Sequence, residues 1–445
     1  MSDLNVLLPL QQNWSCHNCG GCCREHEISI SDAEKQRIEK QNWTVDHGIP
    51  GDRPLIVALG NGWRLNHQED GACVFLDANG LCRIHAKFGE PAKPLACRLY
   101  PYAIHPAANG LTVSLRFSCP SVVSNLGTRV TAQRAELEQL CREVVPTDFR
   151  NRDLPVLAGK RSVSWEEFRV LLAFLERGLA DRSIAFPQRL LQTLAWTQFL
   201  EQADQGLLSD ERLPDILTIL LEAARRACVD GDYGRQPPSR TGRMMFRQLV
   251  AQLLRHDTQQ SVSAGWKHRL RMLSSGLRLT FGRGKVPALK DPESVRAAFG
   301  ESASGPAQSV LFAAVEQFSR ELPSEADELF ERYFLVKIAG HHFFGRAFYD
   351  YSMLDGLRTL ALMFPATIWT ARLRALQSGR DRLLADDLRA ALAILDHNLG
   401  YSPALQLRSS RSRIRQLAVL QQIESLCRHY GGVCVATMVG NDVGA

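Results

Sequence analysis

The chain lacks most of the signatures by which a sequence declares a chemistry. Its 445 residues contain no run of eighteen or more uncharged apolar residues, so no segment is expected to span a bilayer. The most hydrophobic stretch, Met353 to Trp369, is interrupted by Asp355, Arg358 and Pro365. The opening MSDLNVLLPLQQNW has no basic n-region, so a secretory leader is not expected and a cytoplasmic protein is. Neither GxSxG nor HExxH occurs, which removes the nucleophile-elbow hydrolases and the zincin metalloproteases. Gly282-Arg-Gly-Lys285 has neither the spacing nor the following Ser/Thr of a phosphate-binding loop. Ala58-Leu-Gly-Asn-Gly62 is too short, and too far from any βαβ pattern, to cradle a dinucleotide. The CxxxCxxC spacing of radical S-adenosylmethionine enzymes is absent as well: Cys19-x3-Cys23-x2 reaches His26.

Cysteine is what the chain does have. Eight of its twelve cysteines (Cys16, Cys19, Cys22, Cys23, Cys73, Cys82, Cys97 and Cys119) fall within the first 119 residues, with six of the twelve histidines. Disulfide scaffolds belong mostly to short exported chains, so clustered close pairs in a long chain read as metal ligands. In Cys16-His-Asn-Cys19-Gly-Gly-Cys22-Cys23 the two-residue spacing lets successive thiolates converge, and Gly20 and Gly21 ease the curl. Three such cysteines suit three corners of a [4Fe–4S] cube, while Cys16-x-x-Cys19-Gly equally resembles half of a Zn²⁺ site. A hairpin at Asp77-Ala-Asn-Gly80 is expected to bring Cys73 and Cys82 together, and the alternation Leu111 to Phe117 to form a strand delivering Cys119. Adjacent Cys22 and Cys23 point apart in an extended chain, which leaves open which one is the ligand and whether there are one or two centres. If all ligands share one centre, several sulfurs crowd within roughly 4 Å of each other. His17, His26 and His85 are further candidate ligands, Arg98 a candidate counter-charge, and Tyr100-Pro101-Tyr102 a candidate hydrophobic lid.

These residues carry a resemblance. Cys16-x2-Cys19-x2-Cys22-Cys23, Cys73-Val-Phe-Leu, Gly80-Leu-Cys82-Arg-Ile-His85 and Lys93-Pro-Leu-Ala-Cys97-Arg-Leu-Tyr-Pro101 together resemble the bacterial CxxCxxCC cysteine-cluster family of zinc- or iron-chelating domains. Lys93, Tyr100 and His85 stand where that family has arginine, phenylalanine and tyrosine. The likeness covers about residues 14 to 102. In length, in Ser118-Cys119-Pro120 and in the helical part with Tyr333-Phe-Leu-Val-Lys337, the chain is also similar to flagellin lysine N-methylases. That similarity implies S-adenosylmethionine as cofactor and a protein substrate, although no methylase catalytic residue maps onto this chain.

From about residue 160 the texture is helical. Ser164-Trp-Glu-Glu167 forms a capping box, as does Ser31 with Glu34 near the start. Helices are expected at roughly 164–177, 187–203, 212–229, 241–258, 307–321, 325–345, 347–363, 381–397 and 408–429. On continuous helices, His342, Arg346 and Asp350 would share one face, and Tyr333, Lys337 and His341 a neighbouring stripe facing a cleft. Residues 235–290 carry 12 Lys/Arg and a single acid, Asp257. The plainest reading is a solvated face; a protein partner ranks next, and nucleic acid last, since no recognisable binding motif accompanies the charge.

The expected fold is therefore mainly α. A small loop-rich cysteine-cluster domain (1–125) leads through a linker (126–159) to an all-helical domain (160–445) with a candidate joint at 279–306. The leading function is metal binding by the cysteine cluster, as iron–sulfur or zinc. A protein lysine N-methylase acting on flagellin and a zinc-stabilised adaptor for a protein partner are the alternatives.

Overall fold

The computed structural model describes residues 5–49, 51–108, 110–145, 153–203, 212–229, 233–254, 274, 276–287, 289, 291–300 and 309–432. Arg255, Lys267, Arg269 and Arg271 of the basic stretch, the end of the helix expected at 241–258, residues 301–306 of the candidate joint and Cys434 lie outside them.

The chain is mainly α, with small sheets near its start and a helical body after them. Strand β1 (Asn5–Leu7) runs parallel to β6 (Gly110–Leu115), and β5 (Tyr102–Ala107) pairs antiparallel on the other side of β6. Between β1 and β5 the chain makes a second sheet from β2 (Ser29–Ile30), β3 (Ile56–Leu59) and β4 (Gly62–Leu65), in the order β2-β4-β3. A short hairpin, β7 (Val156–Ala158) and β8 (Arg161–Ser162), precedes the body. Both expected capping boxes form, at Ser31–Glu34 and Ser164–Glu167. Among the described residues no helix is long and apolar enough to cross a membrane.

Two cores divide the first 125 residues. Ile30, Ile38, Ile49, Leu65, Val74, Phe75 and Ile84 make a small one that also contains Cys73. Val6, Leu111, Val113, Leu115 and Phe117 belong instead to the large core of the helical body. β6, the central strand, is buried along its whole length, and the helix Ala326–Ala339 packs against it. The apolar stretch around Met353 to Trp369 becomes the centre of the molecule: the helix Met363–Gln377 is buried along nearly its whole length, which explains its lack of a polar face.

Four expected helices differ from the observed ones; of that expected over 307–321, only Phe312–Gln317 is helical among the described residues. The helix expected over 325–345 stops at Ala339, where Gly340 abuts Ser114 of β6 and its carbonyl accepts from Thr112 Oγ1 at 3.0 Å. The next helix starts only at Met353. His341, Tyr349 and Asp350 lie between them with φ of 56°, 57° and 54°, outside the α-helical region. The shared face of His342, Arg346 and Asp350 therefore does not exist, and Arg346 pairs with Asp153 at 2.9 Å. Gln421, at φ 50°, likewise splits the expected 408–429 helix into Arg408–Val419 and Gln422–Gly431.

Tyr333 and Lys337 face no cleft. Lys337 is fully buried, its Nζ 2.8 Å from Asp396 Oδ1 and donating to the Leu115 carbonyl at 3.1 Å. Tyr333 Oη donates to the same carboxylate at 3.1 Å, and the Ser118 backbone N–H reaches its other oxygen at 3.2 Å. Burial lowers the pKa of Lys337, and Asp396 counters that shift.

Beside this pair three imidazoles are buried. Burial, with Lys337 nearby, pulls His105 down to about 3 and His342 well below its usual value; burial takes His341 down to about 4. His105 and His341 stay neutral in the fold at pH 5, and His342 shifts in the same direction, whereas an unfolded chain protonates all three near pH 6.5. The unfolded state then binds more protons, so stability should fall as pH drops from about 6.5 toward 4. At pH 5 the loss is about 2 kcal/mol for His105 alone. Urea midpoints at pH 7.5 and 5.0 should show this decline, and His105→Asn should remove a share of it.

Candidate metal centre

Each cysteine reaches the same place by its own local device. Gly20, at φ 66°, turns the chain into the short helix Gly21–Glu25, which carries Cys22 and Cys23. The Cys23 carbonyl accepts from the Cys73 N–H at 2.7 Å, joining the first cysteine run to the second. The turn at Asp77–Gly80 forms as expected, with Asp77 Oδ1 accepting from the N–H groups of Asn79 (2.9 Å) and Leu81 (2.7 Å). It sets Leu76, not Cys73, opposite Cys82; Cys73 pairs with His67. Cys82 immediately precedes the helix Arg83–Phe88, and Cys97 lies within the helix Leu95–Leu99. Cys119 precedes Pro120–Val123, just past β6 as its sequence alternation predicts.

Cys16, Cys19, Cys22, Cys23, Cys73, Cys82, Cys97 and Cys119 all line one cavity of about 1170 Å³. Every described cysteine is a free thiol. A hydrogen bond between the thiols of Cys22 and Cys23, together with burial, pushes the Cys22 pKa well up. Burial does the same to Cys73, reinforced by Cys97, Cys82 and Cys22. Burial pushes Cys97 up to about 12, with Lys93 opposing and Cys22 and Cys82 adding to the rise. Cys19 is raised by burial and by Cys22 and Cys16, and burial takes Cys119 up to about 12 with Cys19 contributing. These influences link Cys22, Cys73, Cys82 and Cys97 with one another and Cys19 with Cys16 and Cys119, and Cys22 acts on Cys19 as well, so the two groups adjoin.

As a donor set the lining suits a thiophilic metal: soft sulfur ligands, held in a mostly apolar enclosure. Among the described residues, however, no three His, Cys, Asp or Glu side chains are grouped tightly enough to hold an ion as they stand. The sulfurs do not show the crowding expected of one shared centre. Neutral thiols have no bond that would hold them at metal–thiolate spacing, so ligation would draw them inward across the cavity.

The other sequence candidates divide. His17, His26 and His85 all line the cavity. His17 Nδ1 lies 2.8 Å from the Ser15 carbonyl and 3.0 Å from Ser121 Oγ, while His26 stacks on His397 at 5.4 Å. Tyr100 and Tyr102 form part of the wall. Arg98 is committed elsewhere, to Glu90 at 3.0 Å and Glu143 at 2.5 Å, so the counter-charge role does not fall to it. Lys93 is the cation whose charge acts on Cys22 and Cys97. Sequence reasoning assigned Lys93 no charge role and missed Glu25, Arg116, Ser294 and Tyr401, which also line the cavity. Lys93 was within reach, four residues before Cys97; the last two come from nearly 300 residues farther along the chain.

Residues 15–121 match the family described as "CxxCxxCC: Putative zinc- or iron-chelating domain". This family covers the cysteine-bearing walls of the cavity and none of the helical body. A Lysine-N-methylase of Salmonella choleraesuis (strain SC-B67) is 26% identical over 135 residues, which is 28% of this chain and 33% of that protein. The chain thus spans only about a third of that relative's length in the match. No solved structure matches the chain.

Gly80 offers a test of how the cysteine loops are joined. Its φ is 78°, and a Cβ there would sit 2.3 Å from the Asn18 carbonyl oxygen, between the first cysteine run and the turn before Cys82. Gly80→Ala should destabilise this region by roughly 1–3 kcal/mol. The metal-to-protein ratio of the purified variant, read by elemental analysis, should fall below half that of the wild type. Far-UV circular dichroism, dominated by the helical body, should change little.

Proposed function

We propose that this is a metal-binding cysteine-cluster protein in which Cys22, Cys73, Cys82 and Cys97 hold one thiolate centre. Cys16, Cys19 and Cys119 form a second donor group beside it, and Cys23 supports Cys22. The observation that carries this reading is the convergence of all eight cysteines, from four separate stretches of chain, on one cavity wall. Four thiolates suit a [4Fe–4S] cubane as they suit Zn²⁺; an iron–sulfur centre is the first assignment and Zn²⁺ the alternative. A cluster would supply electron transfer or an open Lewis-acidic iron, and zinc a tetrahedral cross-link. The chain's own residues have definable tasks. The thiols give up protons on ligation, Lys93 offsets the charge that results, and Tyr100 and Tyr102 limit access of water.

Anaerobic purification followed by metal analysis, acid-labile sulfide and visible absorption tests the assignment. Brown protein with sulfide near its iron content supports the cluster, whereas colourless protein with stoichiometric zinc rejects it. Cys22→Ala should release more metal than Cys23→Ala, since Cys22 is the one that acts on Cys73 and Cys97.

A second reading is protein lysine N-methylation, with flagellin the substrate implied by the sequence resemblance. It is supported by the similarity of one stretch of the chain to a protein named Lysine-N-methylase. Mass spectrometry of flagellin and other cellular proteins, with the gene intact and deleted, decides it. Methyllysine that disappears on deletion and returns with the wild-type gene supports the enzyme; an unchanged methyllysine profile rejects it.

A further inference from the structure

At about 1170 Å³ the cavity matches the size of small-molecule sites, roughly 300–1,000 Å³, with room to spare for a metal centre. Its walls are not uniform. Seven of the cysteines and Lys93 come from the small cluster region, but Arg116 and Cys119, just past the end of β6, and Ser294 and Tyr401 come from the part built on the large core.

Arg116 is the anomaly in that second wall. Its guanidinium lies 3.9 Å over the Tyr401 ring and 5.5 Å over Tyr100. One amino group donates to the His397 carbonyl at 3.1 Å, while its Nε is buried and has no hydrogen-bond partner among the described residues. Nor does any carboxylate among the described residues lie within ion-pair distance of it. The thiols do not account for this charge either, since the cation acting on Cys22 and Cys97 is Lys93. A stacked, partly desolvated guanidinium facing a cavity is the arrangement that receives a carboxylate in planar, two-pronged contact.

An opposite charge stands nearby. Glu25 also lines the cavity and is oriented by Ser294, whose hydroxyl and backbone N–H both donate to Glu25 Oε1. Its Oε2 lies 3.8 Å from His397 Nδ1. Arg116 and Glu25 therefore flank the same residue, one at its carbonyl and one at its ring, without touching each other. Two opposite charges held apart on a cavity wall, with aromatic faces beside them, match a ligand that carries both charges itself.

We propose that this wall binds the α-amino-acid group of a small molecule, with its carboxylate on Arg116 and its ammonium on Glu25. Two sources share that chemistry: a free amino acid, and S-adenosylmethionine, the amino-acid-bearing methyl donor. The binding wall stands independently of which metal the thiols take; only the second source rests on the methylase reading.

Isothermal titration calorimetry on the full-length protein, with its metal as isolated, tests the proposal. The probes are the twenty L-amino acids singly and S-adenosylmethionine. At least one should bind saturably at a single site. For that probe, analogues lacking the carboxylate or the amino group should bind at least tenfold more weakly. Arg116→Gln and Glu25→Gln should each cost at least tenfold, and Arg116→Lys should recover part of the loss. The proposal is overturned if no probe binds, or if the amine without its carboxylate binds as tightly as the parent. It is equally overturned if a folded Arg116→Gln protein binds like the wild type. Should that variant not fold, the analogue series on the wild-type protein decides. Binding of a free amino acid but not of S-adenosylmethionine upholds the wall and counts against the methylase reading alone.

Discussion

The ion pair of Lys337 and Asp396 holds the two halves of the molecule in register. It has no solvent exposure, and its hydrogen bonds reach the Leu115 carbonyl at the end of β6, the Ser118 N–H just before Cys119, the Tyr333 hydroxyl on the helix that covers the sheet, and His342 Nδ1 just beyond that helix. A buried pair of this kind gives little net stability compared with an apolar pair, but losing one partner strands the other charge at a cost of about 3–5 kcal/mol. Its value is positional. The carboxylate fixes where β6 ends, and that end decides where Arg116 and Cys119 meet the cavity.

The cysteines serve two structures at once. Cys73 lies within the small core, and Cys23 and Cys82 pack against it, while all three also line the cavity. A core of seven aliphatic and aromatic side chains and one cysteine is modest for the strands and turns it supports. Sulfur is suited to this double duty, since a thiol packs like a small apolar group until it loses its proton to a metal. Metal affinity and the stability of the small core are consequently one quantity, seen from two sides.

What was legible in the sequence was local. Ser31 with Glu34 and Ser164 with Glu167 announce helix starts because a capping box is complete within four residues. The turn at Asp77 to Gly80 and the strand before Cys119 follow from equally short patterns. The break after Ala339 was not legible, since Tyr333 to Phe344 has the composition of a helix interior. The chain stops there because β6 crosses at that level and Thr112 takes the Gly340 carbonyl. The cavity's composition was half legible: spacing reveals cysteines, but nothing within reach of Glu25 foretells Ser294, nor of Arg116, Tyr401. Contacts across hundreds of residues leave no short-range trace.

The parallel pairing of β1 with β6 has a consequence for the order in which the protein is made. Asn5 meets Gly110, so the first strand waits for more than a hundred residues before it has a partner. β6 in turn needs the helix Ala326–Ala339 to pack against it, and Asp396 to fix its end. The last side chain of the cavity wall is Tyr401. A nascent chain therefore exposes its cysteines long before the wall that encloses them, Tyr401 included, has emerged.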